Sequence, residues 1–488
     1  MVESSPPTLL IANAGYIATV NDQREVLTDN DILIVGNRIA AIGPRLTATL
    51  ETPPDRVIDA MGMVVLPGMV ATHDHLFQTL YRGVDRLKKR PIVEWVATLC
   101  ELLDPLDAEA AYSAARVGLA ELLLSGCTTT SDHLYVYPHG RTDLFDAQVR
   151  AAQELGIRFH PVRGSLGIDE QGQSMWPAFV CEDDAAVLAH AESVLRRYHD
   201  PDPYAMVQVA LGPCGYYSAS RRMFSALAEL AERHGARLHT HALEMAHEQE
   251  DNQRLFGRDA LEFLDDVGFL GPHAWLAHGV YARPEDIERL AATRTAIAYT
   301  PWCTTSKKRV TPITAMCAAG VPAGIAPDGA ASNDGHNILS EARLAGRLQG
   351  LDAAQQGVSY WRATQILELA TRGGARCLGR ERIGSIAVGH AADLAIIDTA
   401  QHLACAGCDN PLEAVFHTAL ATVDYTIVNG RVVVDQGRLV HPQTSQPVDL
   451  AEMIARHNRI AARIRQQAAE RLSLESLRLP WTRILPDA

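Results

Sequence analysis

The sequence predicts an α/β chain built as a (β/α)8 TIM-type barrel, with a small β-sandwich domain assembled from N- and C-terminal segments. Three observations predict it. Between residues 66 and 380, eight short apolar runs alternate with amphipathic helical stretches. On either side, residues 1–65 and 381–445 read as short β runs joined by tight turns. Histidines and acidic residues collect at the ends of the central runs, where such a barrel carries its reactive groups. A doubly wound parallel sheet is the alternative arrangement of the same alternation.

The N-terminal segment supplies runs at 9–12, 31–35 and 38–43, with Gly36-Asn37 as a hairpin turn, and 57–62 leads into the centre. The stretch MVVLPGMVATHDH, residues 63–75, reads as one buried strand. With it, the strand candidates are 64–75, 127–133, 157–163, 207–214, 237–244, 274–280, 295–301 and 323–328. Helical patterns lie between them at 107–125, 143–155, 183–198, 221–234, 284–292 and 313–319, several opening on an Asp suited to the helix N-terminus. After 380, β character returns at 384–389, 392–398, 425–428 and 431–434, with Asn429-Gly430 as a second hairpin turn. Residues 446–488 read as a helical tail, with a closing amphipathic helix over 448–473.

Composition narrows the function classes. The 488 residues are 47% hydrophobic and 21% charged, a globular balance with ample length for a large core. A formal net charge of −14 argues against nucleic acid as a partner. No apolar run approaches the roughly 18 residues of a membrane span, so no membrane partner is expected. The opening MVESSPPTLLIANAGY lacks a basic stretch followed by an apolar one, as a secretory signal would have. Nine scattered cysteines, an odd number, suit reduced thiols in a cytoplasmic protein. Cys405 and Cys408 form a lone CxxC and read as structural thiols.

The chemistry sits at the strand ends. His73 and His75 are two apart in a strand and face one side. Strand five ends in His239-Thr240-His241 followed by Glu244, strand six in His278 and strand eight in Asp328. Three imidazoles and a carboxylate leave one position open for water, the layout of a catalytic metal site. Glu244 is placed to act as general acid and base, and His278 to hydrogen-bond a developing oxyanion. Asp328 can take the water's proton while touching the metal. His239 faces the same side one layer deeper and reads as core packing. Two-metal barrels of this kind bridge their ions with a carboxylated lysine at the end of strand four. Residues 207–214, VQVALGPC, hold no lysine, so a single metal is expected.

These motifs resemble the amidohydrolase superfamily: PGMVATHDH, HTHALE, LAHG, PDGAASND, and the trailing GSIAVGHAADLAIID and VNGRVVV. The likeness runs over nearly the whole chain. It is closest to the branch holding 8-oxoguanine deaminase and s-triazine hydrolases such as hydroxyatrazine ethylaminohydrolase, through HLFQTLYRG, GCTTTSDHLYVYP, RYHDPDPYAM and ALGPCG. The resemblance implies one zinc (iron as the alternative) on His73, His75, His241 and Asp328, with Glu244 carrying protons and His278 assisting. It implies that Gln78, Cys214 and a loop residue, His133, line the substrate pocket, and that the chain is a homo-oligomer acting on a small heterocycle.

The implied reaction is hydrolytic deamination of an aminated ring of the 8-oxoguanine, isocytosine or pterin type. Displacement of an amine or chloride from an s-triazine is the alternative. An inactive barrel used as a binding scaffold is a third reading, opposed by the full ligand set. One departure stands out. The branch typically shows a HCPSSN-like turn after strand seven, whereas this chain reads AYTPWCTTSKKR over residues 298–309. Its basic run, Lys307-Lys308-Arg309, reads either as a solvated face or as a feature favouring an anionic substrate.

Overall fold

The computed structural model describes residues 6–87, 92–174, 176–307, 309–333, 335–356 and 361–474. Eight parallel strands form one sheet in unbroken chain order. They are Met69–Ala71, Cys127–Leu134, Arg158–Arg163, Ala210–Leu211, Arg237–Ala242, Ala274–His278, Ala296–Tyr299 and Ala323–Ile325, here barrel strands one to eight. The Thr72 N–H donates to the Ile325 carbonyl at 3.0 Å, drawing strand eight back against strand one. A doubly wound sheet would reverse strand order at a switch point. This sheet does not reverse, so the TIM-type barrel holds.

The helices between strands follow their caps. Asp107 accepts from the Ala110 N–H at the head of Ala108–Leu124, Asp183 from Ala185 and Ala186 ahead of Asp184–Tyr198, and Ser220 from Met223 ahead of Arg221–His234. Helices Ile92–Leu103 and Ile338–Gln356 are additions that periodicity alone does not predict.

The expected single strand over 64–75 is instead two. Val64–Pro67 pairs antiparallel with Leu394–Ile397 in a satellite sheet, and Met69–Ala71 opens the barrel. Gly68 is the joint. A Cβ there would lie 2.2 Å from the Thr128 side chain, and the Gly68 N–H donates to the Asp393 carbonyl at 2.8 Å. His73 and His75 therefore lie just past the strand rather than in it. The run 384–389 also forms no strand, and the fourth barrel strand shrinks to Ala210–Leu211.

The terminal segments build a four-stranded sheet (Arg38–Gly43, Asn30–Val35, Thr8–Ala14, Arg56–Asp59) and a seven-stranded one. In the larger sheet, Val64–Pro67 lies between Leu394–Ile397 and Tyr16–Ala18, so N- and C-terminal strands share it. Leu9, Ile11, Ile32 and Ile34 pack in one buried cluster with Val65, Leu394, Ile396 and Ile427. A buried fork joins this unit to the barrel. Arg158, on strand three, donates from Nε and Nη2 to the two carboxylate oxygens of Asp393, both at 2.9 Å. Helix Leu450–Leu474 packs on the barrel wall, where His457 accepts from Ser113 and donates to the Thr79 carbonyl. No described helix is long and apolar enough to cross a membrane.

Candidate metal centre

Six histidines crowd the C-terminal mouth of the barrel, and the hydrogen bonds of four of them settle which nitrogens carry protons. His75 Nδ1 lies 2.9 Å from the His133 carbonyl, and His241 Nδ1 lies 2.6 Å from the Cys214 carbonyl. A carbonyl only accepts, so both Nδ1 atoms donate and both Nε2 atoms are bare lone pairs. The third ring works through a relay. His239 Nδ1 donates to the Trp275 carbonyl at 2.8 Å, leaving His239 Nε2 to accept from His73 Nδ1 at 2.8 Å. His73 Nε2 is then also bare, and it is buried with no hydrogen-bond partner among the described residues.

These three lone pairs converge with one carboxylate. His75 Nε2 and His241 Nε2 are 3.2 Å apart, and Asp328 Oδ1 is 3.5 Å from His73 Nε2 and 3.4 Å from His75 Nε2. Lone pairs at such separations repel unless a cation sits among them. Metal–nitrogen bonds of about 2.0–2.1 Å place tetrahedral ligands about 3.3 Å apart, so the spacing suits a divalent metal. Burial, then neighbouring His75 and His241, hold His73 well below the usual imidazole range. Burial with His278 and His75 takes His241 down to about 3. Neutral rings are the form that binds metal. His133 Nδ1 is a further buried orphan, and His73, His133 and His241 form a second group whose ligand atoms lie within 4.8 Å of one another.

The backbone at the mouth is strained where these groups turn inward. Leu243, His278 and Asp328 all have positive φ, at 55°, 81° and 61°. Left-handed geometry at bulky residues costs of order 1–3 kcal/mol each and collects at functional sites. Asp328 Oδ1 also accepts from the Gly329 N–H at 2.8 Å, while Oδ2 accepts from the Cys303 thiol at 2.8 Å. Burial opposes the charge on Asp328, but His278 and His75 prevail and lower its pKa.

Glu244 lies beside this cluster, with Oε2 3.8 Å from His278 Nε2. His278 Nδ1 is 2.9 Å from Thr300 Oγ1, which fixes its ring. The other Glu244 oxygen, Oε1, accepts from the Lys307 ammonium at 2.9 Å. Burial raises the Glu244 pKa, yet Lys307 and His278 outweigh it and hold the carboxyl down at about 2. Of the basic run, Lys307 turns inward, Arg309 lies over the Tyr281 ring at 5.2 Å, and Lys308 lies outside the described residues.

The structure thus gathers His73, His75, His241, Glu244, His278 and Asp328 at one mouth. Gln78 is there too. Its Oε1 accepts from the Ala331 N–H at 3.2 Å and occupies the space a Cβ on Gly329 would need. Cys214 Sγ lies 3.6 Å from the Tyr217 hydroxyl and 3.9 Å from His241 Nδ1, and burial pushes its thiol up to about 12. His133 is placed differently from expectation. It sits in barrel strand two, not a loop, fully buried, with its ring stacked on His241 and its carbonyl holding His75.

Four residues take contacts that sequence reasoning does not assign to them. His239 packs against Trp275, as its core position suggests, and also fixes the His73 tautomer. Asp74, between the two leading histidines, accepts from the His75 N–H and pairs with buried His336 at 2.8 Å. Cys303 and Lys307 come from the helix after strand seven, where the sequence departs from the HCPSSN pattern. Only the HxH and HxHxxE spacings signal a ligand on their own.

Comparison with known proteins agrees with this geometry. Residues 64–433 match the Amidohydrolase family. The chain is 39% identical to 8-oxoguanine deaminase of Pseudomonas aeruginosa, over 83% of this chain and 88% of that protein. It is 35% identical to hydroxydechloroatrazine ethylaminohydrolase of Pseudomonas sp. strain ADP, over 87% of this chain and 90% of that one. Among solved structures, it resembles the atrazine chlorohydrolase of Arthrobacter aurescens complexed with zinc. That match has a TM-score of 0.87 and 30% identity, over 93% of this chain and all of that one (100%).

Proposed function

The chain belongs to the amidohydrolase family, and from that premise we propose that it is a zinc-dependent hydrolytic deaminase of an aminated N-heterocycle, of the 8-oxoguanine, isocytosine or pterin type. Such an enzyme hydrolyses a carbon–nitrogen bond other than a peptide bond, in a cyclic amidine. The observation that carries the reading is the convergence of three bare imidazole nitrogens and Asp328 beside a buried glutamate.

His73, His75, His241 and Asp328 would hold a single zinc. When bound, it supplies Lewis acidity and lowers the pKa of a water at neutral pH. The rest falls to the chain's own residues. Asp328 would accept that water's proton. Glu244, once protonated, donates to a ring nitrogen and makes the adjacent carbon electrophilic; it then helps return protons to the departing amine. His278, held by Thr300, presents Nε2 to the oxygen that becomes negative. Gln78 and Cys214 would line the ring's seat, Gln78 Oε1 accepting from the Ala331 N–H and Cys214 Sγ lying beside the Tyr217 hydroxyl.

A second reading is displacement of an amine or chloride from an s-triazine, favoured by the likeness to the ethylaminohydrolase and the chlorohydrolase. The same groups serve both. Ammonia release from zinc-loaded protein across guanine, 8-oxoguanine, isocytosine, isoxanthopterin and hydroxy-triazines separates them. A purine, pyrimidine or pterin should release ammonia fastest. Turnover confined to triazines would transfer the assignment to the second reading.

A further inference from the structure

Lys307 sits where a surface lysine would not be expected. Only 13% of its side chain is exposed, and among the described residues its ammonium makes one hydrogen bond, to Glu244 Oε1 at 2.9 Å. An ammonium carries three donors, so two remain for another group. The helix that bears it, Pro301–Ser306, starts directly after barrel strand seven, and Lys307 closes its C-terminus. The same helix places Cys303 on Asp328 at 2.8 Å. Lys307 thus stands at the mouth against Glu244, on the helix that also reaches Asp328 through Cys303, while Arg309 turns away onto Tyr281.

This pairing is at odds with Glu244 as a proton carrier. To donate a proton, Glu244 must first become neutral, and a neutral Glu244 leaves a largely buried ammonium without its countercharge. An unpaired charge in such a place is costly. The conflict disappears if the substrate brings the negative charge. We propose that Lys307 is a specificity-determining residue: it pairs with Glu244 until substrate binds and then transfers to an anionic edge of the bound ring, freeing Glu244 for proton work. The substrate class that fits is a heterocycle able to lose a lactam or acidic ring proton, so that its anion meets Lys307. A neutral ring would leave Lys307 on Glu244 and the carboxyl ionised. This inference rests on the deaminase reading for its substrate but not for its binding measurement.

The test uses the full-length, zinc-loaded chain and two purines that carry no exocyclic amine and cannot be deaminated. Urate is anionic at pH 7, and hypoxanthine is neutral. In equilibrium titrations, Lys307→Met should weaken urate by about 10- to 100-fold, the range of a lost charge-assisted hydrogen bond. Hypoxanthine should change by less than about 3-fold, within the range of a contact that carries no charge. Lys307→Arg should retain most of the urate affinity. With reacting rings, Lys307→Met should raise KM for the anionic ring and raise kcat for a neutral one. A purely structural lysine predicts neither result.

Equal weakening of both purines, unchanged urate affinity, or no urate binding to the unaltered protein would each overturn the proposal. The two readings can also fail apart. Ammonia release without urate binding keeps the deaminase and removes Lys307 as selector. Lys307-dependent urate binding without ammonia from any ring does the reverse.

Discussion

At the scale of single residues, the centre is a problem of proton placement. Three candidate ligands can offer lone pairs only because each Nδ1 is committed elsewhere: His75 to the His133 carbonyl, His241 to the Cys214 carbonyl, and His73 to His239. The first two commitments use backbone, which no substitution removes. The third uses a side chain and can be cut. His239→Phe keeps the stack on Trp275 but removes the acceptor for His73 Nδ1. Zinc affinity, measured by chelator competition, should fall about 10- to 100-fold, as losses behind a metal ligand commonly do. An unchanged affinity would reduce His239 to packing. The residues that converge are legible in the sequence because each sits at the end of a recognisable apolar run. The groups that orient them are not. Asp74 meets His336, and Glu244 meets Lys307, across 262 and 63 residues, and no local spacing encodes such a meeting.

At the scale of elements, Gly68 divides one apolar run between two sheets. Local pattern favours a single strand, because Met63 to Thr72 is apolar almost throughout. Tertiary pairing overrides it: Val64–Pro67 finds Leu394–Ile397, and Met69–Ala71 finds strand two. The joint tolerates no side chain, since a Cβ would press on Thr128 at 2.2 Å. Gly68→Ala should therefore lower stability by about 1–3 kcal/mol, read as a shift in the urea midpoint. Thr128→Gly in the same chain should recover part of the loss. If the single variant unfolds at the original midpoint, the joint is looser than described. The helices were easier to anticipate than this strand, because Asp107, Asp183 and Ser220 mark their own starts. Helix Ile338–Gln356 carries little one-sided apolar pattern, which is why periodicity passes it over.

At the scale of the whole molecule, the barrel stores uncharged histidines. Burial leads the causes that hold His73, His133, His160 and His239 well below the ordinary imidazole value of 6.5, and it takes His241 down to about 3. In the unfolded chain all five protonate as pH falls through 6.5, while in the folded, metal-free chain they stay neutral. The unfolded state then binds more protons, so acid shifts the balance towards it. Glu248 and Asp132 oppose this by up to one proton each. Burial raises Glu248 to about 7 although it accepts from the Leu243 and Glu244 N–H groups, so its contribution falls as pH rises from 4.5 towards 7. Burial also raises Asp132 well above the ordinary carboxylate range. The histidines outnumber the two acids. Each loses about 1 kcal/mol of stabilisation between pH 6.5 and 5.5, so the net effect is several kcal/mol. Metal-free protein should show a markedly lower urea midpoint at pH 5.5 than at 7.5. His160 offers a control away from the candidate ligands: it packs edge-on against Trp275, and among the described residues both its ring nitrogens lack a partner. His160→Phe should flatten the pH dependence by about one proton. A midpoint that stays level or rises on acidification would mean that the rings gain protons in the fold, and that the convergent lone pairs do not exist without metal.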